Sequence, residues 1–148
     1  MKNILNQEAV PKGQPLLFLK TKILPMVQNR AIVEAFIEVF YRQKNVRKAF
    51  DEFVSENYIQ HSPMILDGRA AAIEMLEPKF SNPDAFFEIK RVLVDGDLAV
   101  IHLNGKLTAN TLGVVVADFF RLENGKIVEH WDVIQPVPTE KVNPRLMF

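Results

Sequence analysis

The stretch VADFFRLENGKIVEHWDVIQP (116–136) decides the fold of this chain. It holds two runs of alternating residues on either side of ENGK (123–126), a pattern typical of two antiparallel strands joined by a tight turn. Within these runs Asp118, His130 and Asp132 occupy positions where a half-buried strand normally has Val or Ile. We therefore expect the two strands to point an imidazole and two carboxylates into a pocket.

The turn decides which of these side chains lie opposite each other. If ENG (123–125) forms a type I turn with a left-handed bulge, Asp118 pairs with His130. If Asn124 and Gly125 form a plain two-residue turn, the register slips by one and Asp118 faces Trp131. We favour the bulged turn, because the slipped register leaves a buried carboxylate short of partners. One face then contains Val116, Asp118, Phe120, Val128, His130, Asp132 and Ile134, and the other contains Val115, Ala117, Phe119, Arg121, Ile127, Glu129, Trp131 and Val133.

Helical patterns precede these strands. The spacing predicts helices over 29–43, 46–54 and 68–80, and Ser55 looks like a helix cap for a segment (55–63) that stops at Pro63. After Pro83 the period becomes two and predicts strands over 85–94, 97–107, 113–122 and 126–135. Helices followed by an antiparallel meander indicate an α+β fold, with helices covering one face of a curved sheet.

Composition bounds the class of protein. The chain has 148 residues, which suggests one domain (28–148) with a tail (136–148), and we interpret residues 1–27 as an N-terminal extension. Lys plus Arg and Asp plus Glu are 18 each, so the charge gives no reason to expect nucleic acid or an anionic membrane as a partner. The absence of cysteine excludes disulfides and thiolate chemistry and fits a cytoplasmic protein.

Apolar residues on both faces of the predicted sheet indicate an additional partner. The helices suffice to cover only one face, and the other contains Phe119 and Trp131. Large apolar surfaces of this kind usually mark an interface. We therefore expect a homodimer formed through the outer face of the sheet.

Two blocks of sequence resemble a known family. NYIQHSP (57–63) with DGRAAAIEML (67–76), followed by VADFFRLENGKIVEHWDVIQPVP (116–138), is similar to the SnoaL-like polyketide cyclases. These belong to the superfamily of nuclear transport factor 2 and ketosteroid isomerase, and the likeness extends over roughly 29–148. It implies a cone-shaped, cystatin-like α+β barrel with a deep apolar pocket, usually a homodimer, and an aldol-type or isomerase reaction without metal or organic cofactor.

The resemblance also implies roles for particular residues. The position of the isomerase's hydrogen-bond-donating Asp is matched by Asp118, three residues before Arg121, and the position of its general base is matched by His61. The region of its first-helix tyrosine contains Phe36 and no tyrosine, so half of that oxyanion hole is missing. In the cyclases the acid/base carboxylate comes from the final strands, which leaves Asp118 and Asp132 as alternatives.

Together these residues form a candidate site for a hydrophobic carbonyl compound. His61 would be the base, because an imidazole exchanges protons near neutral pH, and a neutral Asp118 would donate to an enolate oxygen. His130 and Asp132 would orient each other or act as acid and base themselves. Each residue also has a purely structural interpretation. His61 would cap the end of the segment before Pro63, and Asp118, His130 and Asp132 would form buried ion pairs. The expected ligand-binding residues are Tyr58, His102, Phe120, Val116 and Ile134, whereas Tyr41 is expected to be structural.

Two alternatives remain. A catalytic zinc held by His61, His130 and Asp132 is conceivable, but no close ligand spacing supports it, so we expect no metal. The second alternative is that the protein binds a small molecule without catalysing a reaction, since the same fold serves both purposes.

Overall fold

The computed structural model describes residues 15–148, with side chains from residue 26 onward. The helices are α1 (Pro15–Ile37), which continues into a π-helical turn (Glu38–Arg42), α2 (Val46–Phe53) and α3 (Arg69–Phe80). The strands are β1 (Val54–Gln60), β2 (Phe86–Asp95), β3 (Leu98–Lys106), β4 (Val114–Glu123) and β5 (Lys126–Pro136). None of the helices described here combines the length and apolarity needed to cross a bilayer.

The α+β arrangement predicted from the sequence is confirmed, with one helix longer than expected. The first helix begins at Pro15 rather than at Asn29, so part of the predicted extension (1–27) is helical. The rest of that extension (1–14) lies outside the described residues. Helix α2 begins as its sequence suggests, because the Asn45 side chain accepts a hydrogen bond from the backbone N–H of Lys48.

The sheet has five strands in the order β1-β5-β4-β3-β2. Strands β2 to β5 form the predicted antiparallel meander, and β1 pairs in parallel with β5. The helical interpretation of 55–63 was therefore wrong. Pairing with β5 satisfies the backbone of this segment, and strand alternation buries Tyr58 and Gln60.

The last hairpin uses a turn that the sequence argument ranked second. Glu123 pairs with Lys126 across Asn124 and Gly125, whose φ angles of 49° and 79° are those of a two-residue type I′ turn. The predicted bulged turn is therefore wrong. A bulge lies further along, where Val128 is an extra residue in β5 and the pairing shifts by one.

This bulge sets the final register. Asp118 lies opposite Asp132, and Phe120 lies opposite His130, so neither predicted partner of Asp118 is correct. The bulge lets Ile127, which is 1% exposed, face the core and still turns His130 inward three residues later. The predicted grouping of Asp118, His130 and Asp132 on one face is retained, while Ile127, predicted on the opposite face, points into the core.

Aromatic rings join the helices to the concave face of the sheet. Phe36 stacks on Phe40 with centroids 5.0 Å apart and meets Phe120 of β4 edge-on at 5.5 Å. Phe80 of α3 stacks on Phe87 of β2 at 4.7 Å. Such pairs contribute about 0.5–1.5 kcal/mol each beyond their buried area. They also form most of the walls of the cavity described below.

We expect Gly113→Ala to destabilise the fold by about 2–4 kcal/mol, from left-handed strain and a steric clash. Gly113 has φ +83°, and an added Cβ would lie 2.5 Å from the carbonyl oxygen of Gly105. The control is Gly96→Ala at φ +61°, where an added Cβ meets no atom within 4 Å. This variant should lose only about 1–2 kcal/mol. Urea unfolding measures both, and equal losses would contradict the steric argument.

Candidate functional site

A cavity of about 260 Å³ lies between the helices and the concave face of the sheet. Its walls are mostly apolar, which is typical of sites for small organic ligands. Six phenylalanine rings contribute to them, from Phe36, Phe40, Phe50, Phe80, Phe87 and Phe120. The polar side chains deep in the cavity come from the last two strands, the π-helical turn and β1: Asp118, His130, Asp132, Tyr41, Tyr58 and Gln60.

Asp118 is the centre of the polar group. Its side chain is buried, and each of its two oxygens has a partner. The Tyr41 hydroxyl donates to Oδ2 at 2.5 Å, and Nε2 of His130 lies 3.1 Å from Oδ1. One proton is therefore shared between His130 and Asp118. Because both side chains are buried, separating them would cost free energy.

Tyr41 is a cavity residue that the spacing of the first helix did not reveal. A mainly structural role is predicted for it from the sequence, and the structure adds that its hydroxyl lies beside Asp118. The π-helical turn, closed by the bond from the N–H of Gln43 to the carbonyl of Glu38, buries Val39, Phe40 and Tyr41 consecutively. Three consecutive buried residues do not fit a regular α-helical period, so helical spacing could not reveal that Tyr41 faces Asp118.

Gln60 holds the other side of the imidazole. Its Oε1 lies 2.8 Å from Nδ1 of His130 and accepts from the backbone N–H of Ser62 at 2.9 Å. Its Nε2 donates to the Tyr58 hydroxyl at 3.0 Å. Correct assignment of 55–60 as a strand would have found this residue, because alternation places Tyr58 and Gln60 on one face.

Asp132 is the carboxylate of the site with no hydrogen-bond partner among the described side chains. It is half-buried, lines the cavity and lies directly opposite Asp118. Tyr58, Val116, Phe120 and Ile134, the other residues predicted to bind a ligand, line the same cavity. A carboxylate that faces a cavity without a fixed partner is free to accept a proton from a ligand.

His61, the base implied by the resemblance, lies outside the cavity. Its ring is 41% exposed, its Nε2 lies 2.8 Å from Glu129, and it stacks on Trp131 with centroids 4.8 Å apart. The physical reason is strand alternation, because Gln60 points inward and its neighbour His61 must point outward. The expected pocket position of His61 is therefore corrected.

Glu129 belongs to the same outer network. Hydrogen bonds from Arg121, and then from His61, hold the pKa of Glu129 below its usual value. These interactions stabilise the outer face of the sheet at neutral pH. Because the pKa is lowered in the folded state, this contribution is lost as the pH falls through it.

His102, expected to be a wall residue, also points outward. Its neighbours Ile101 and Leu103 are buried, so alternation directs the ring to the opposite face, where Arg91 lies 2.9 Å from Nδ1. His102, expected among the ligand-binding residues, does not line the cavity.

A divalent ion would have to displace existing hydrogen bonds. Asp118, His130 and Asp132 each offer a ligand atom within 4.8 Å of the others. However, Nε2 of His130 and Oδ1 of Asp118 already contact each other, so this contact would have to open. The zinc set considered from the sequence does not assemble, because His61 lies on the other face.

Both tyrosines of the chain, Tyr41 and Tyr58, should stay protonated until the protein unfolds in alkali. Burial, and then the charge of Asp118, raises the pKa of Tyr41 well above its usual value. Burial, and then the charges of Asp118 and Asp132, raises the pKa of Tyr58. Unfolded tyrosine loses its proton near about pH 10, so the free energy of unfolding should fall as the pH rises above that value.

Ultraviolet absorbance of tyrosinate, recorded together with circular dichroism, checks this expectation. Tyrosinate should appear only as the dichroism of the folded state disappears, whereas in concentrated urea it should appear near about pH 10. Tyrosinate in the folded protein near about pH 10 would contradict the burial argument.

Comparison with known proteins agrees with this architecture. The model of the SnoaL-like domain family matches residues 33–130, about two thirds of the chain. The chain belongs to the SnoaL-like domain family. No curated protein matches this SnoaL-like chain.

Solved structures confirm the fold of the SnoaL-like domain. An NTF2-like protein of unknown function from Mesorhizobium loti is 21% identical with a TM-score of 0.65, over 74% of this chain and 93% of that one. A protein from Jannaschia assigned as a SnoaL-like polyketide cyclase is 22% identical with a TM-score of 0.59, over 74% and 87%. A protein from Kribbella flavida assigned as a ketosteroid isomerase is 17% identical with a TM-score of 0.64, over 80% and 85%. Identities this low establish the NTF2-like fold alone.

Proposed function

We propose that the SnoaL-like domain is a cofactor-independent enzyme that uses general acid/base catalysis on a hydrophobic carbonyl compound, in an aldol-type cyclisation or an isomerisation. One observation supports this most strongly. Two carboxylates face each other in an apolar cavity, and Asp118 is fully hydrogen-bonded while Asp132 is not. Different surroundings for two paired carboxylates are the usual basis for dividing acid and base roles.

Asp132 is the proposed base. It removes a proton from the carbon next to the ligand's carbonyl group, and the C–H electron pair moves into the enolate. We assign the role of base to Asp132 rather than to His61, because His61 points away from the cavity. Apolar walls leave little water to compete for the carboxylate, which strengthens its interaction with the ligand.

His130 and Asp118 supply the opposing proton. The hydrogen between Nε2 of His130 and Oδ1 of Asp118 is available to a developing enolate oxygen. Tyr41 donates to the other oxygen of Asp118 and holds that carboxyl group in place. A positioned donor aimed at developing charge is commonly the largest contribution to catalysis of this kind.

The experiment that tests this function is hydrogen exchange at carbon. Hydrophobic ketones and 1,3-diketones are incubated in D₂O with the protein and with excess EDTA, and loss of the α-hydrogen is followed by proton NMR. We expect exchange above the buffer rate with at least one compound, undiminished by EDTA. Binding of these compounds without faster exchange would overturn the proposal.

That second outcome corresponds to another candidate function, non-catalytic binding of a small hydrophobic molecule. The mostly apolar lining of the cavity favours it, because such walls bind ligands without requiring chemistry. Chemical shift changes of cavity methyl groups, without hydrogen exchange in the ligand, would distinguish binding from catalysis.

We also propose a homodimer through the outer face of the sheet. Three apolar side chains are exposed on this face, by 57%, 38% and 64% respectively: Leu93, Phe119 and Val133. Trp131 lies opposite Phe119 and two residues before Val133 in β5. Burying these side chains against a second copy would remove the apolar surface from water. Sedimentation equilibrium gives the oligomeric state directly, and a monomer at micromolar concentration would contradict this proposal.

A further inference from the structure

Gln60 makes hydrogen bonds whose directions can be assigned. The backbone N–H of Ser62 can only donate, and it lies 2.9 Å from one end of the Gln60 amide. That end must be the carbonyl oxygen, and the other must be the NH₂ group. Gln60 is only 7% exposed, so water has little opportunity to replace these contacts.

The direction of the first bond fixes a proton on His130. The Gln60 oxygen can only accept, so Nδ1 of His130, 2.8 Å away, must hold a hydrogen. Nε2 is therefore the ring nitrogen that gains or loses a proton, and it is the one that faces Asp118 at 3.1 Å. A second hydrogen bond of this kind selects the tautomer of an imidazole.

The direction of the second bond fixes a proton on Tyr58. The Gln60 NH₂ group donates to the Tyr58 oxygen at 3.0 Å, so the hydroxyl hydrogen must point elsewhere. Among the described residues the Tyr58 hydroxyl donates to no acceptor, and Tyr58 lines the cavity. Its hydrogen is therefore available to a ligand oxygen.

We propose that Gln60 is a positioning residue that keeps Nδ1 of His130 protonated and turns the Tyr58 hydroxyl hydrogen into the cavity. Tyr58 thereby becomes a second donor to the ligand oxygen, beside the proton shared by His130 and Asp118. The role of Tyr58 as a donor to a ligand rests on the function proposed above. The two proton positions follow from the hydrogen bonds of Gln60 alone. Gln60 of β1 in this way organises one donor on its own strand, Tyr58, and one on β5, His130.

Nitrogen-15 NMR of the histidine rings tests the first proton position. The chain has three histidines, so His61→Gln and His102→Gln assign the signals of His130 by elimination. We expect Nδ1 of His130 to remain protonated across a pH titration while only Nε2 changes. Gln60→Met should release this constraint and allow Nδ1 to lose its proton. An unprotonated Nδ1 in the wild-type protein would overturn the proposal whether or not the protein is an enzyme.

Gln60→Glu tests the second proton position. A carboxylate still accepts from Ser62 and His130 but cannot donate to Tyr58, so the Tyr58 hydroxyl should turn towards it and leave the cavity. With the NMR exchange assay above, we expect this change and Tyr58→Phe to lower the rate by the same factor, about 100- to 1,000-fold for loss of one donor to a developing oxyanion.

A double variant separates this route from an effect of the added charge. In the Tyr58→Phe background, Gln60→Glu should cause no further loss, because the hydroxyl through which it acts is absent. An undiminished loss in that background would overturn the assignment for Tyr58. If the wild-type protein exchanges no compound, the proposed function fails, and the ring-nitrogen signals still decide the role of Gln60.

Discussion

Asp132→Asn should lower the rate of α-hydrogen exchange by about 100- to 10,000-fold, the usual contribution of a general base. An amide cannot accept a proton from carbon, yet it has the same shape as the carboxylate. Asp132 also makes no hydrogen bond to another described side chain, so folding loses little. Replacing one of two facing carboxylates should even relieve repulsion with Asp118 and slightly raise the free energy of unfolding.

Two variants accompany this measurement. Asp95→Asn makes the same chemical change at an exposed strand end far along the sheet from the cavity and should leave the exchange rate unchanged. His61→Ala distinguishes the base implied by the resemblance from the one that the geometry favours. Full activity is expected, because the ring lies on the outer face. A large loss in His61→Ala together with an unaffected Asp132→Asn would reverse the assignment.

Replacement of Asp118 should separate its chemical role from its structural one. We expect Asp118→Asn to lower the exchange rate by about 100- to 1,000-fold, because the amide holds Tyr41 and His130 but cannot share an acidic proton with the imidazole. Its stability should change little, since one amide can accept from Tyr41 and donate to His130.

Asp118→Ala is the matched comparison. It leaves the Tyr41 hydroxyl and Nε2 of His130 without a partner in a buried site, so we expect a loss of about 3–5 kcal/mol in the free energy of unfolding as well as the loss of activity. Urea unfolding and the exchange assay measure the two effects separately. Equal stability losses in the Asn and Ala variants would show that the charge of Asp118, rather than its hydrogen bonds, supports the fold.

The bulge at Val128 explains how Asp118, His130 and Asp132 share a face although the predicted register was wrong. Alternation along β5 places His130 and Asp132 on one face whatever the pairing, because it depends only on local backbone geometry, whereas Asp118 of β4 joins them only in a suitable register. Pairing depends on the turn and on any bulge, and the bulge here shifts β5 by one residue. The shift places Asp132 opposite Asp118 and leaves His130 beside both, which the sequence argument did not anticipate.

Local patterns thus determined the α+β class, the meander and the shared face of His130 and Asp132, because periods of 3.6 and 2 residues follow from backbone geometry. Only the tertiary structure decided that β1 is a strand, that His61 faces outward and that Tyr41 reaches Asp118. Each of these depends on a partner distant in the sequence: β5 for β1 and His61, and β4 for the π-helical turn. Residue spacing within a segment contains no information about such a partner.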